Sequence, residues 1–261
     1  MSRARRYGAP LAVILLLLGA WELAARWDLI ANALNIEDFL VPAPSDIAES
    51  LWRDRSLLAD DSWVTLREVV LGFACALGAG LAFALILHLS DTLRRAFYPL
   101  LVASQTIPIV IVAPLLVAWL GYDLAPKLAI VGLVCFFPVT VTTLDGLAGV
   151  DPDLRKLMRT LDASRLQSFR RVEAPAALPA LFSGARIAVA VAVIGAVLAE
   201  QAGSSDGLGH LILQAIPQFE TARAYAAVVV LSAFAIALFA GLRLAERRLL
   251  PWAHRAEGAV T

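Results

Sequence analysis

From Val69 to Leu89 the chain carries no Asp, Glu, Lys or Arg. A helix needs roughly 20 consecutive apolar residues to cross the hydrocarbon core of a bilayer, and this run is that long. It forms most of a span beginning near Trp63, and comparable runs recur at about Tyr7–Ala25, Phe97–Leu120, Leu128–Leu144, Ala176–Glu200 and Ala224–Leu242. Inside hydrocarbon every backbone polar group needs an internal partner, so such runs fold as helices. The fold class expected is an all-α integral membrane protein of about six transmembrane helices, one membrane domain over 1–261. Composition agrees: 60% of residues are hydrophobic and 17% charged, against roughly half and a quarter in soluble domains. Leu23-Ala24-Ala25 could imitate a signal-peptide cleavage site, but the chain beyond it is further membrane-type sequence.

Basic residues set the expected orientation. Placing the N-terminus inside puts Arg3, Arg5, Arg6, Arg94, Arg95, Arg155, Lys156, Arg159, Arg165, Arg170, Arg171, Arg243, Arg247, Arg248 and Arg255 on the inner side. The outer loops then hold only Arg26, Arg53, Arg55, Lys127 and Arg223. Cytoplasmic loops carry the excess of Lys and Arg, so both termini are expected in the cytoplasm. Residues 27–62 read as an external loop with a short surface helix. There Pro42 and Pro44 break the chain, and Ser45 is the expected N-cap of a helix bearing Ile47, Leu51 and Trp52.

Several function classes lose support. His88, His210 and His254 are scattered, and Cys75 and Cys135 sit inside apolar runs, so neither a metal site nor a disulfide framework is expected. No Gly-Lys-Ser/Thr phosphate loop is present, which argues against ATP binding by this chain. Zero net charge offers nothing to nucleic acid. An intramembrane enzyme would need a convergent catalytic set. A secondary transporter should show internal repeats and buried charged relays, and neither is evident.

Within the spans, Gln105, Thr106 and Pro108 mark a kinked, polar-bearing helix. Proline there frees a backbone carbonyl, which is tolerable beside packed neighbours or a wet pathway. Glu200, Gln201 and Ser204 close the outer end of the fifth span. A carboxylate ending an apolar helix is costly unless wet or paired, so these six residues are the candidates for a substrate pathway or its gate. Arg186, in the inner third of the fifth span, is expected to snorkel or to pair.

The longest polar interval is Asp151–Gly184. Asp151-Pro152 is a helix-start signal, a capping carboxylate followed by proline at the first position. Leu154, Leu157, Met158 and Leu161 recur at helical spacing, and Leu166, Phe169 and Val172 continue the apolar face beyond Asp162-Ala163-Ser164. Arginines and Lys156 hold the other side. A basic amphipathic hairpin of this kind fits a membrane surface or a groove on a partner protein, and the residues alone leave both open.

The interval resembles the coupling loop of permease subunits of bacterial binding-protein-dependent ABC importers. In that pattern a Glu-Ala-Ala triplet is followed by Gly and then Ile-x-Leu-Pro. Here the triplet falls on Lys156-Leu157-Met158, the glycine on Asp162, and the last four on Val172-Glu173-Ala174-Pro175. The looser form in the sulfonate, taurine, nitrate and thiamine-precursor branch is better kept, through Ala163, Ser164, Phe169, Val172, Pro175, Leu178-Pro179, Gly184 and Glu200. VPAPSDI, TIPIVIVAPLLVAWLGYDLAPK, FFPVTVTTLDGL, GLGHLI and Pro251-Trp252 extend the likeness along the chain.

The resemblance implies a transport subunit, not an enzyme, in the bacterial inner membrane. It implies a second copy of the chain, ATP-binding cassette ATPase subunits that use ATP–Mg, and an external substrate-binding protein. This chain itself would hold no cofactor. The coupling residues would be Leu154, Leu157, Met158, Leu161, Asp162, Ala163, Ser164, Phe169, Val172 and Pro175, within a loop over 151–175. The substrate most similar by pattern is a pyrimidine precursor of thiamine, with aliphatic sulfonate, taurine, nitrate and riboflavin as alternatives.

Overall fold

A computed structural model describes residues 3–35 and 37–252. Among these residues every regular element is helical. In order they are α1 (Arg3–Arg26), α2 (Leu29–Leu34), a 3-10 turn (Asp38–Leu40), α3 (Pro44–Arg53), α4 (Arg55–Leu89), α5 (Asp91–Ser104), α6 (Ile109–Leu120), α7 (Leu124–Ala148), α8 (Pro152–Thr160), α9 (Arg165–Ser168), a π turn (Phe169–Glu173), α10 (Ala174–Gly203), α11 (Leu208–Ala215) and α12 (Thr221–Leu249). Among the described residues, four stretches are long and apolar enough to cross a membrane: α4, α7, the continuous helix Arg165–Gly203, and α12. The bent pair α5 and α6 makes a fifth if counted as one span. The first span expected from the sequence corresponds to α1, whose Leu11 and Val13 to Leu18 are exposed.

The third expected span is not continuous. It breaks at Gln105–Pro108, and α5 and α6 meet at 98°. Pro108 lacks an N–H and stands as the N-cap of α6 with extended backbone, so the ladder cannot run through it. Pro114, by contrast, lies inside α6.

The chain divides into two compact units, 1–64 with 206–232 and 65–205 with 233–261. In the first, the expected external loop is largely helical. The N-cap of α3 is Ala43 rather than Ser45, because Pro44 occupies the first turn, where its missing N–H costs nothing. Ser45 instead gives both its backbone N–H and its hydroxyl to Glu22, at 3.0 and 2.7 Å. Arg26 bridges Glu22, Ser45 and Asp46. Asp54, which caps the C-terminal end of α3, receives Arg223 Nε at 3.0 Å and the Ser50 hydroxyl at 2.9 Å. The Thr221 hydroxyl donates to the Phe39 carbonyl, and the Phe39 and Phe219 rings meet edge to face.

The second unit is built on α7 and α10. Ala185, Ala188, Ala192, Ala196 and Ala199 are buried along α10, a small-residue stripe that lets helices approach without large side chains between them. Cys135 Sγ of α7 reaches the Ala188 carbonyl at 3.3 Å. A Cβ at Gly184 would collide with the Thr142 hydroxyl and lie 2.8 Å from the Pro138 carbonyl. On α4, Gly72 meets Val131, Gly80 meets Val139, and the Thr140 hydroxyl donates to the Gly80 carbonyl. In the N-terminal half of α10, Arg186 pairs with Glu246 of α12 and with Ser183. α5 packs through Leu101 and Tyr98 beside Ala84, Leu87 and Leu144. α6 packs through Ala113 and Leu116 beside Ile130 and Ala199. The break thus separates a helix that lies on the C-terminal halves of α4 and α7 from one that lies on the N-terminal half of α7 and the C-terminal half of α10.

Burial pushes the Asp54 carboxyl up, but hydrogen bonds from Arg223, Ser50 and Arg53 outweigh it and hold the pKa below the ordinary carboxylate value. A depressed folded-state pKa stabilises above the unfolded value and loses that contribution as pH falls through the folded one. The thermal midpoint of purified protein is therefore expected to fall as pH drops below about 4, and the Asp54→Asn variant to start lower at neutral pH with a flatter acid limb.

Candidate functional site

The sequence-derived candidates fall in three places. The basic hairpin comprises α8, α9 and the π turn. Asp151 caps α8 as its residue type predicts, accepting from the Asp153 N–H at 2.8 Å. Ser164 caps α9 reciprocally with Gln167: the Gln167 N–H donates to Ser164 Oγ at 3.3 Å, and the Ser164 N–H to Gln167 Oε1 at 2.9 Å. Between them, Asp162 has φ +51°. Its N–H bonds the Arg159 carbonyl, and the Ala163 N–H bonds the Met158 carbonyl. That is the paired closure of a Schellman helix end, whose left-handed position is usually glycine. Aspartate tolerates this conformation better than most side chains. Asp162 therefore keeps the turn a glycine would make, and the capping role belongs to Ser164.

No residue of α8 is buried. Leu154, Leu157, Leu161 and Leu166 are 44%, 53%, 67% and 62% exposed, an apolar row without cover. Met158, Phe169, Val172 and Pro175 are half-buried, and Ala163 is intermediate. Phe169 turns toward the His88 ring, 6.4 Å between centroids, and so does not extend the exposed leucine row.

Gln105, Thr106 and Pro108 form the α5–α6 break, and all are exposed. The Thr106 hydroxyl donates to the Ala103 carbonyl at 2.8 Å, and Gln105 Nε2 to Ser104 Oγ at 3.4 Å.

The third place is where the N-terminal parts of α4 and α7 meet the C-terminal end of α10. Glu200 is fully buried and accepts the Thr65 hydroxyl at 2.6 Å. Lys127 is not the loop charge that its position between spans suggests. It lies in the first turn of α7, 7% exposed, and donates to Glu68 Oε1 and Ser204 Oγ, each at 2.7 Å. Glu68 is itself fully buried, and the Glu200 carboxyl lies in hydrogen-bonding reach. Glu68 Oε2 receives no donor among the described residues. The Lys127 ammonium thus ties Glu68 of α4 to Ser204 at the end of α10, and the Thr65–Glu200 hydrogen bond joins α4 to α10 beside it. Gln201 stays exposed beside them. Glu68 and Lys127 carried no local sign in the sequence, since their partners lie 59 and 77 residues apart along the chain.

The described residues form an all-helical bundle with a basic hairpin and a broken span, and hold no metal-binding cluster. Residues 74–251 match the family of binding-protein-dependent transport system inner membrane components, and the chain belongs to that family. It is 36% identical over 253 residues to the formylaminopyrimidine transport permease protein ThiX of Halalkalibacterium halodurans, covering 97% of this chain and 98% of the relative. It is 33% identical to the riboflavin transport system permease protein RibX of Chloroflexus aurantiacus (94% and 90% covered). A putative aliphatic sulfonates transport permease protein, SsuC of Bacillus subtilis, is 30% identical (90% and 86% covered). Among solved structures, a methionine ABC transporter, MetNI, superposes with TM-score 0.62 at 19% identity, over 76% of this chain and 97% of that one. The chain is an ABC importer permease of the inner membrane, a transport component rather than an enzyme.

Removing one partner of a buried ion pair costs about 3–5 kcal/mol. Lys127→Met is expected to lower the thermal midpoint of purified protein sharply, and adding Glu68→Gln to recover most of the loss. At Asp162 a β-branched residue would suffer the left-handed penalty of roughly 1–2 kcal/mol. Limited proteolysis is expected to cut the hairpin faster in Asp162→Val, and no faster than in the parent in Asp162→Gly.

Proposed function

We propose that this chain forms the substrate path of an ATP-driven importer and couples that path to separate ATPase subunits through the 151–175 hairpin. The observation carrying this reading is the uncovered row Leu154, Leu157, Leu161 and Leu166 on a hairpin continuous with the helix Arg165–Gly203. An amphipathic helix that buries none of its residues in its own chain fits a groove on another protein. The family's binding-protein-dependent character supports an external binding protein as the second partner. ATP–Mg belongs to the ATPase, and this chain supplies no cofactor site. The arginine distribution supports a cytoplasmic hairpin with both termini on the same side.

The path is assigned to the α5–α6 break, where Gln105, Thr106 and Pro108 offer polar groups and turned backbone in an apolar setting, with a second copy of the chain completing it. Glu200, Ser204 and Gln201 stand at its outer end. In this reading Glu200 and Ser204 act as the tie that holds three spans together there. Formylaminopyrimidine or a similar thiamine pyrimidine precursor is the proposed substrate, supported by the 36% identity over nearly the whole of both chains.

Leu157→Glu is expected to abolish co-purification of the ATPase while the permease still inserts; wild-type recovery of the ATPase would overturn the docking role. Titration calorimetry on the partner binding protein is expected to show formylaminopyrimidine binding tightly. Preference for riboflavin or an alkane sulfonate would reassign the substrate and leave the subunit's role intact.

A further inference from the structure

His88, Arg155 and Glu173 have no place among the coupling or pathway residues read from the sequence, yet they form one contact. Glu173 Oε2 meets His88 Nε2 at 2.7 Å, and Glu173 Oε1 lies 3.3 Å from Arg155 Nε. Arg155 also donates from Nη2 to the Leu147 carbonyl at 2.8 Å. His88 ends α4, Leu147 ends α7, Arg155 is on α8, and Glu173 is the last residue of the π turn that leads into α10. The His88 and Glu173 side chains are only 14% and 15% exposed, so salt screens them less than a surface pair. Charge-assisted hydrogen bonds are about twice as strong as neutral ones.

The rest of the contact between hairpin and spans is sparse. Arg165 Nη2 donates to the Leu89 carbonyl at 3.3 Å, and beside that bond lies an open cavity of about 900 Å³ lined by His88, Asp91, Arg159, Arg165, Phe169 and Glu173 among others. Covalent continuity into α10 passes through the π turn, a looser geometry than the α-helix and frequently found at functional sites. A load applied to α8 would bend that turn unless something braces it.

We infer that Glu173 is the positioning residue that braces the π turn, so that the hairpin moves as one body with the inner ends of α4, α7 and α10. This rests on the docking reading above and adds the element that carries motion past the hinge. Arg155 holds Glu173 and α7 from the hairpin side, and His88 holds it from α4. The leucine row grips the ATPase, and the brace turns that grip into movement of the spans rather than flexing of the turn.

The test uses the full complex of this permease with its ATPase in lipid nanodiscs, with Cys75 and Cys135 replaced by Ala. Spin labels are placed at Thr160→Cys on α8 and Leu89→Cys at the end of α4. In the parent, pulsed electron resonance is expected to give one narrow distance distribution that ATP–vanadate trapping leaves unchanged. Glu173→Gln should retain the ATPase at parental level but give a distribution that broadens or shifts on trapping. Arg155→Lys, which keeps a cation beside the carboxylate, should leave it narrow where Arg155→Gln broadens it, a difference that a general loss of fold would not show. If Glu173→Gln does not insert, Arg155→Gln breaks one of the two contacts and is read the same way. An unaltered narrow distribution in the variant, a parental distribution that itself shifts, or loss of the ATPase from Glu173→Gln would each overturn the brace. Failure of the docking reading is distinguishable, because the ATPase would then co-purify undiminished with Leu157→Glu.

Discussion

The close approach of α7 and α10 is what the second compact unit depends on. Lipid tails are as apolar as leucine, so a membrane bundle gains little from hiding apolar surface and relies on packing and on buried polar contacts. The alanine stripe from Ala185 to Ala199 and the glycine at 184, where a Cβ would collide with α7, make that packing possible. α4 joins the pair through Gly72 and Gly80. At both ends the helices are then fastened by polar contacts: Lys127 with Glu68 at one end, and Glu173 with Arg155 and His88 at the other. Close packing sets the distances, and the ionic ties set the register along the helix axes.

Much of this was legible from the residues. Uncharged runs located the long helices because bilayer thickness and backbone hydrogen bonding leave few alternatives. Asp151-Pro152 marked the start of α8, and the cap geometry agrees. The leucine spacing at 154, 157 and 161 marked an apolar face that the fold leaves uncovered. These are local signals, readable within a turn or two of helix.

What escaped depends on partners distant in sequence or on competition between neighbours. Lys127 counted as a loop charge because nothing near it shows that Glu68 and Ser204 converge on it. Glu173 fell on the unrestricted position of the Ile-x-Leu-Pro pattern, and only the fold brings His88 and Arg155 to it. Ser45 had the better capping side chain, but Pro44 beside it settled where α3 begins. Pro108 and Pro114 look equivalent in sequence, yet only the first coincides with a break. The departure at Asp162 concerned chemistry alone, since its backbone adopts the left-handed turn that glycine would have supplied.

The π turn at Phe169–Glu173 has a consequence for azimuth. Successive residues of an α-helix advance by about 100° around its axis, and a π turn closes over one residue more than an α turn. The direction in which the hairpin projects from the bundle is therefore set by a single residue of slack. With that residue absorbed in the turn, the charged tip of Glu173 points at His88 while α10 keeps its alanine stripe on α7. Without it, one of the two faces would have to rotate away from its partner.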